Sequence, residues 1–139
     1  MENFAIMRHA VEEDGGLHPK SVGVLRRVAR DLAGVLRNGL TVRIFHSPVL
    51  RAELTAKEFA QALGMAGVNT MVVGPLPWLD YDEYRVTDEN IAEAMHDDAF
   101  TVFITHEPIM KGYLRSNWVD PYIATNCSVW SPAFIIRGH

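Results

Sequence analysis

At 139 residues, 48% of them apolar and 22% charged, the chain has enough material for one domain, 1–139, with a real hydrophobic core. Thirteen Lys and Arg against 17 Asp and Glu leave a formal charge of −4, which argues against a nucleic-acid-binding surface. The single cysteine, Cys127, excludes an internal disulfide and any multi-cysteine metal site; with no basic cluster beside it, it reads as a buried thiol rather than a reactive one. No stretch approaches the roughly 20 apolar residues of a bilayer span. The N-terminus MENFAIMRHA lacks the basic start of a signal peptide, so no membrane partner and a reducing cytoplasm are expected.

Residues Phe4 to Met7 form an apolar run that stops at Arg8-His9, as a buried strand would. The polar, glycine-containing stretch from Val11 to Pro19 reads as a loop. From Lys20 to Leu36, Leu25, Val28, Ala29, Leu32, Val35 and Leu36 fall at helical spacing, with Arg26, Arg27, Arg30 and Arg37 off that face and Asn38-Gly39 as the stop. Val42 to Phe45 reads as a second strand ending at His46-Ser47-Pro48. Pro48 is expected to open a helix running to about Leu63, with Thr55, Phe59, Ala62 and Leu63 inward. Met71 to Val73 suits a third strand, and Gly74 to Thr87 reads as irregular. Asp88 and Glu89 open a third helix, their charge opposing its positive dipole end, with Ile91, Ala94 and Met95 inward. Phe100 to Thr105 is the clearest strand. His106 stands at its end, and Pro108 is expected to start a helix carrying Ile109, Met110, Tyr113 and Leu114. From Cys127 to Ile136 the tail suits a hairpin or an edge pairing. This alternation predicts an α/β fold, a three-layer α/β/α sandwich with a mostly parallel central sheet.

Ligands of such sheets bind beyond the carboxyl ends of the strands. Arg8-His9, Ser47-Pro48 with Arg51, and His106 all fall at such ends. The segments IMRHA (6–10), SPVLRAELTA (47–56) and VFITHEP (102–108) resemble the histidine phosphatase superfamily, the phosphoglycerate-mutase-like proteins, in order and spacing. The brevity of the chain is similar to the small bacterial phosphohistidine phosphatases of the SixA-like branch. The resemblance covers most of 4–114. It implies a phosphoglycerate-mutase-like fold, His9 as a nucleophile that becomes phosphorylated, Arg8 and Arg51 as phosphate-binding residues, and His106 as a further donor to the phosphoryl group. The residue types suit that chemistry. A neutral imidazole attacks phosphorus and leaves again readily, and guanidinium forks match phosphoryl oxygens without losing charge. No metal and no other cofactor is called for, and the implied partner is a phosphorylated substrate, a phosphohistidine protein among them.

The match departs at Ala10, where glycine is frequent, at Leu54, where glutamine is frequent, and at His46, where a small residue is frequent; the last two stand where they would alter the pocket wall. A general acid for the leaving group is not singled out by spacing. Asp80, Asp82 and Glu83 are the candidates, in a loop whose Trp78, Tyr81 and Tyr84 either rim the entrance or pack the loop onto the sheet; Trp118 and Tyr122 carry the same ambiguity. A phosphoramidate such as phosphohistidine needs less help to leave than an alkoxide, so the lack of an obvious acid favours it. His18, His46, His96 and His139 read as structural, and Arg51 alone would read as a helix residue paired with an acid such as Glu53. Two other functions fit the same pocket: a small-molecule phosphomonoesterase, and a non-catalytic module that recognises phosphate. Intact His9 argues against the module.

Overall fold

The sheet is assembled around its most apolar strand. In the computed structural model, which describes residues 4–36, 39–80, 87–95, 98–106 and 108 and the backbone of 134–137, strand β6 (Ala99–Thr105) is buried at every residue. Burial on both faces is what a continuous apolar run demands and what a central parallel strand provides. On one side β6 pairs in parallel with β1 (Phe4–Arg8), from Phe4 opposite Thr101 to Arg8 opposite Thr105. On the other it pairs in parallel with β4 (Thr41–His46). Strand β5 (Thr70–Pro75) lies in parallel outside β4, and β7 (Phe134–Arg137) adds an antiparallel edge beside β1. The order is β5-β4-β6-β1-β7. The edge pairing expected of the tail is present.

Two helices cover one face. Helix α1 (Pro19–Val35) and helix α2 (Leu50–Met65) lay Leu25, Val28, Ala29, Leu32, Ala52, Ala56, Phe59 and Leu63 against Ala5, Met7, Val42, Ile44, Val102 and Ile104. Val35 departs from the expected stripe and is 43% exposed. The other face holds Phe4, Ile6, Phe45 and Phe103 under Leu79, Trp78 and helix α3 (Asp88–Ala94) with Ile91, Ala94 and Met95. Three layers result, as the alternation of elements requires.

Three local expectations are corrected. The stretch 11–19 is not wholly irregular: β2 (Glu12–Glu13) and β3 (Gly16–Leu17) form a short hairpin. Its turn is Asp14-Gly15, with φ of 52° and 80°, the left-handed pair that a two-residue hairpin turn requires and that Asp-Gly supplies at low cost. Pro48 does not open α2. The cap is Val49, whose N–H reaches the Ser47 Oγ at 3.4 Å, and the helix begins at Leu50. The 74–87 stretch is partly ordered, since β5 extends to Pro75 and Pro77–Leu79 make one 3-10 turn. Within β5 an extra residue is accommodated where the register with β4 slips, and Gly74 takes φ of 145° there, where a side chain would be strained. Helix α3 is capped by Thr87, whose hydroxyl accepts from the Asn90 N–H at 3.2 Å. The helix expected from Pro108 onward, with Ile109, Met110, Tyr113 and Leu114, lies outside the described residues beyond Pro108 itself, as do Arg37, Trp118, Tyr122 and Cys127. Among the described residues no helix is long and apolar enough to cross a membrane.

The orientation of α2 decides where Arg51 points, and it can be tested by packing. Phe59, fully buried, is expected to cost about 3–5 kcal/mol of unfolding free energy when replaced by alanine. Met65, 77% exposed, is expected to cost about 0.5 kcal/mol or less. Urea denaturation of both variants reads the difference, and similar losses would mean that α2 is rotated on its axis.

Candidate active site

The carboxyl ends of β1, β4 and β6 deliver the site. His9 follows β1 directly, and its backbone N–H donates to the Thr105 carbonyl at 2.9 Å, so the parallel pairing continues one residue past the strand. The ring of His9 is held at both nitrogens. Its Nδ1–H donates to the carbonyl of Ala10 at 2.8 Å, and its Nε2 accepts from the Arg51 Nε–H at 3.1 Å. One nitrogen is a donor and the other an acceptor, which is the neutral imidazole with its lone pair on Nε2. Physical causes agree with that form. Burial lowers the pKa of His9, against the opposing pull of the Ala10 carbonyl; the Arg51 and Arg8 guanidiniums lower it further, and Glu12 raises it.

Arg51 reaches His9 because α2 is tied to the loop that follows it. Thr55 lies one turn beyond Arg51 and is fully buried. Its hydroxyl donates to the Arg51 carbonyl at 2.7 Å and accepts from the Ala10 N–H at 2.9 Å. A second tie joins the Val11 N–H to the buried Ser21 Oγ of α1 at 3.0 Å. Glu53, the expected partner of Arg51 in a purely structural reading, pairs instead with Lys57 at 3.9 Å.

His106 is completely buried at the end of β6, its ring edge-on to that of His9 with centroids 5.1 Å apart. Its Nε2 is 3.0 Å from the Ser47 hydroxyl and 3.9 Å from Asp80 Oδ1. Burial, with the neighbouring His9 and Arg51, pushes its pKa down to about 4 against the upward pull of Asp80, so the ring is neutral at neutral pH. Of the candidate acids, Asp80 is thus brought to the site, its side chain 47% exposed. Asp82 and Glu83 lie outside the described residues, as do Tyr81 and Tyr84. Trp78 sits against the ring of Phe103, with centroids 5.5 Å apart, which favours packing of the loop. The loop is also fastened by the Thr105 hydroxyl, which donates to the Leu79 carbonyl at 2.6 Å.

The departures from the expected motifs resolve differently. Ala10 is buried, with its amide held by Thr55. Leu54 lines a cleft of about 350 Å³ with Leu17, Val22, Lys57, Glu58 and Gln61, which none of Arg8, His9, Arg51 and His106 lines. His46 is buried and its Nδ1–H donates to the Ser47 carbonyl at 2.8 Å, a structural role. His18 caps α1, accepting from the Lys20 N–H at 3.0 Å, and lies 3.1 Å from Glu13; His96 and His139 lie outside the described residues. Two residues carry no site role of their own in the sequence, Ser47 and Thr55. Both belong to SPVLRAELTA, and the further signals are the place of Ser47 at a strand end and of Thr55 on the inward helix face.

No family model matches the chain, and no curated protein matches it. Solved structures do. A protein assigned as the phosphohistidine phosphatase SixA of Agrobacterium tumefaciens superposes with a TM-score of 0.55 at 18% identity, over 83% of this chain and 75% of that one. Phosphoglycerate mutase from Plasmodium falciparum gives 0.55 at 16% identity, over 84% and 74%. The fold is phosphoglycerate-mutase-like. A second protein assigned as SixA, from Nakamurella multipartitia, gives 0.52 at 21% identity over 80% of this chain and 62% of that one, so the chain spans less than two thirds of its length. At 16–21% identity, what the chain shares with these structures is the fold.

Neutral, buried His106 sets a pH dependence of stability. Its pKa is about 4 in the folded chain and near the ordinary 6.5 in the unfolded one. Between those values the unfolded chain binds a proton that the folded chain does not, so stability is full above about pH 6.5 and falls as pH falls, levelling near pH 4. The full depression corresponds to roughly 3 kcal/mol. His106→Gln is expected to remove this share of the slope. Equal pH slopes in urea titrations of the two proteins would rule out a neutral buried imidazole at 106.

Proposed function

We propose that the chain is a phosphatase that works through a phosphohistidine on His9 Nε2, without a metal or other cofactor, and that its substrate is a phosphoramidate of the phosphohistidine type. The observation that carries this reading is the pair of bonds on the His9 ring. A tie from Nδ1 to the Ala10 carbonyl leaves the lone pair on Nε2, and the Arg51 guanidinium lies on that same nitrogen. A phosphoryl group entering there meets a nucleophile and a fixed cation together.

Two displacements complete the reaction. In the first, the Nε2 lone pair forms an N–P bond while the bond from phosphorus to the leaving group breaks, and the leaving group departs with that electron pair. Arg51 turns from the nitrogen to the equatorial phosphoryl oxygens, joined by Arg8 and His106. In the second, water forms an O–P bond, the N–P bond breaks with its pair returning to Nε2, the proton given up by the water passes to a phosphate oxygen and from there to solvent, and inorganic phosphate leaves. A phosphohistidine substrate whose ring is protonated leaves as neutral imidazole and needs little further acid. An alkyl phosphate needs a proton donor, and Asp80, beside His106, is the described carboxyl that could serve. Its position supports a second reading, a small-molecule phosphomonoesterase of the same superfamily.

His9→Asn is expected to abolish covalent labelling by a radioactive phosphoramidate and to lower turnover about a thousand-fold or more. Label that persists in this variant would overturn the nucleophile. Arg51→Ala is expected to lower kcat by about 10²–10³-fold. Competition between a phosphohistidine peptide and a simple alkyl phosphate separates the two readings. Faster hydrolysis of the alkyl phosphate, lost in Asp80→Asn, would replace the phosphohistidine assignment with the phosphomonoesterase one.

A further inference from the structure

Ser47 is fully buried, and each of its polar atoms is engaged. Its N–H donates to the Ile104 carbonyl at 2.9 Å, which joins the ends of β4 and β6. Its carbonyl accepts from the His46 Nδ1–H at 2.8 Å. The hydroxyl oxygen lies 3.4 Å from the Val49 N–H and 3.0 Å from His106 Nε2. The two contacts of the hydroxyl differ in kind. A backbone N–H can only donate, so toward Val49 the oxygen is an acceptor. A buried hydroxyl hydrogen must also find an acceptor, and of these two neighbours only His106 Nε2 has a lone pair to offer.

We propose that Ser47 is the positioning residue that sets the proton of His106. Its O–H donates to Nε2, which keeps that nitrogen unprotonated and places the single proton of the neutral ring on Nδ1. The backbone contacts on either side of Ser47 hold the hydroxyl at the place where it can do this. On the reading of the site as a phosphatase, the donor that His106 offers is then on Nδ1, a buried atom, while Nε2 is spent on Ser47. Without the hydroxyl, Asp80 Oδ1 still lies 3.9 Å from Nε2, and a carboxylate favours the opposite tautomer by drawing a proton onto Nε2.

Nitrogen-15 NMR of the ring-labelled histidines in the full chain at pH 7 tests this directly, with His106 identified by the signal lost in His106→Gln. The wild-type protein is expected to show His106 protonated at Nδ1 and unprotonated at Nε2. Ser47→Ala is expected to shift it toward the Nε2–H form and to lower kcat more than it raises KM, and Ser47→Thr, which restores a hydroxyl, to return both. A wild-type His106 carrying its proton on Nε2 overturns the proposal without any variant, so it stays testable even where Ser47→Ala fails to fold. An unchanged tautomer in a folded Ser47→Ala protein overturns it equally. Failure of His9 to take up label while the His106 tautomer is as expected would remove the phosphatase reading and leave the role of Ser47 standing.

Discussion

The contact between Arg51 Nε and His9 Nε2 joins residues 42 apart in the chain, and most of the architecture serves to hold it. His9 is placed by the pairing of β1 with β6, extended by its own amide bond to Thr105. Arg51 is placed by α2, whose rotation is set by the buried stripe Ala52, Ala56, Phe59 and Leu63. Thr55 then locks the helix to the loop by bonding the Arg51 carbonyl and the Ala10 amide with one hydroxyl. A hydrogen bond of about 3 Å tolerates little error, and here it closes a circuit through a strand, a loop and a helix.

Burial gives the two imidazoles of the site their character. Removing a ring from water disfavours its cation, and nearby guanidiniums add to the effect. His9 and His106 are both pushed toward the neutral form, and they lie edge-on to one another. Neutrality suits the role proposed for His9, which needs a lone pair on the ring. It also makes the hydrogen-bond partner of each ring decisive, because a neutral imidazole has one donor and one acceptor and its neighbours choose which is which. Ala10 makes that choice for His9 and Ser47 for His106.

Much of the fold was legible residue by residue. The apolar run of 100–105 read as a strand because every residue in it is buried, and the stripe on α2 read correctly because Thr55, Phe59, Ala62 and Leu63 all face the core. Reading failed where short-range geometry competes with composition. The Asp14-Gly15 pair carries its own hairpin signal, but with two residues per strand there is no alternation to reinforce it. Pro48 looked like a helix opener, yet Ser47, held by β6 and His46, fixes the backbone just before it and moves the helix start to Leu50.

By itself the sequence determined the periodicities and the punctuation, hence the layers, the parallel sheet, the strand ends at which Arg8, His9 and His106 stand, and the helix after the second of them that carries Arg51. Those follow from local patterns of apolar residues and turn formers, which act over a few positions. Tertiary structure alone decided which atoms meet. It set Arg51 on the Nε2 of His9 rather than beside Glu53, brought Asp80 within 3.9 Å of His106, and turned Leu54 toward another cleft. The reason is the range of the forces involved. A directed hydrogen bond between residues 42 or 59 apart depends on the accumulated placement of every element between them, and no spacing along the chain encodes it.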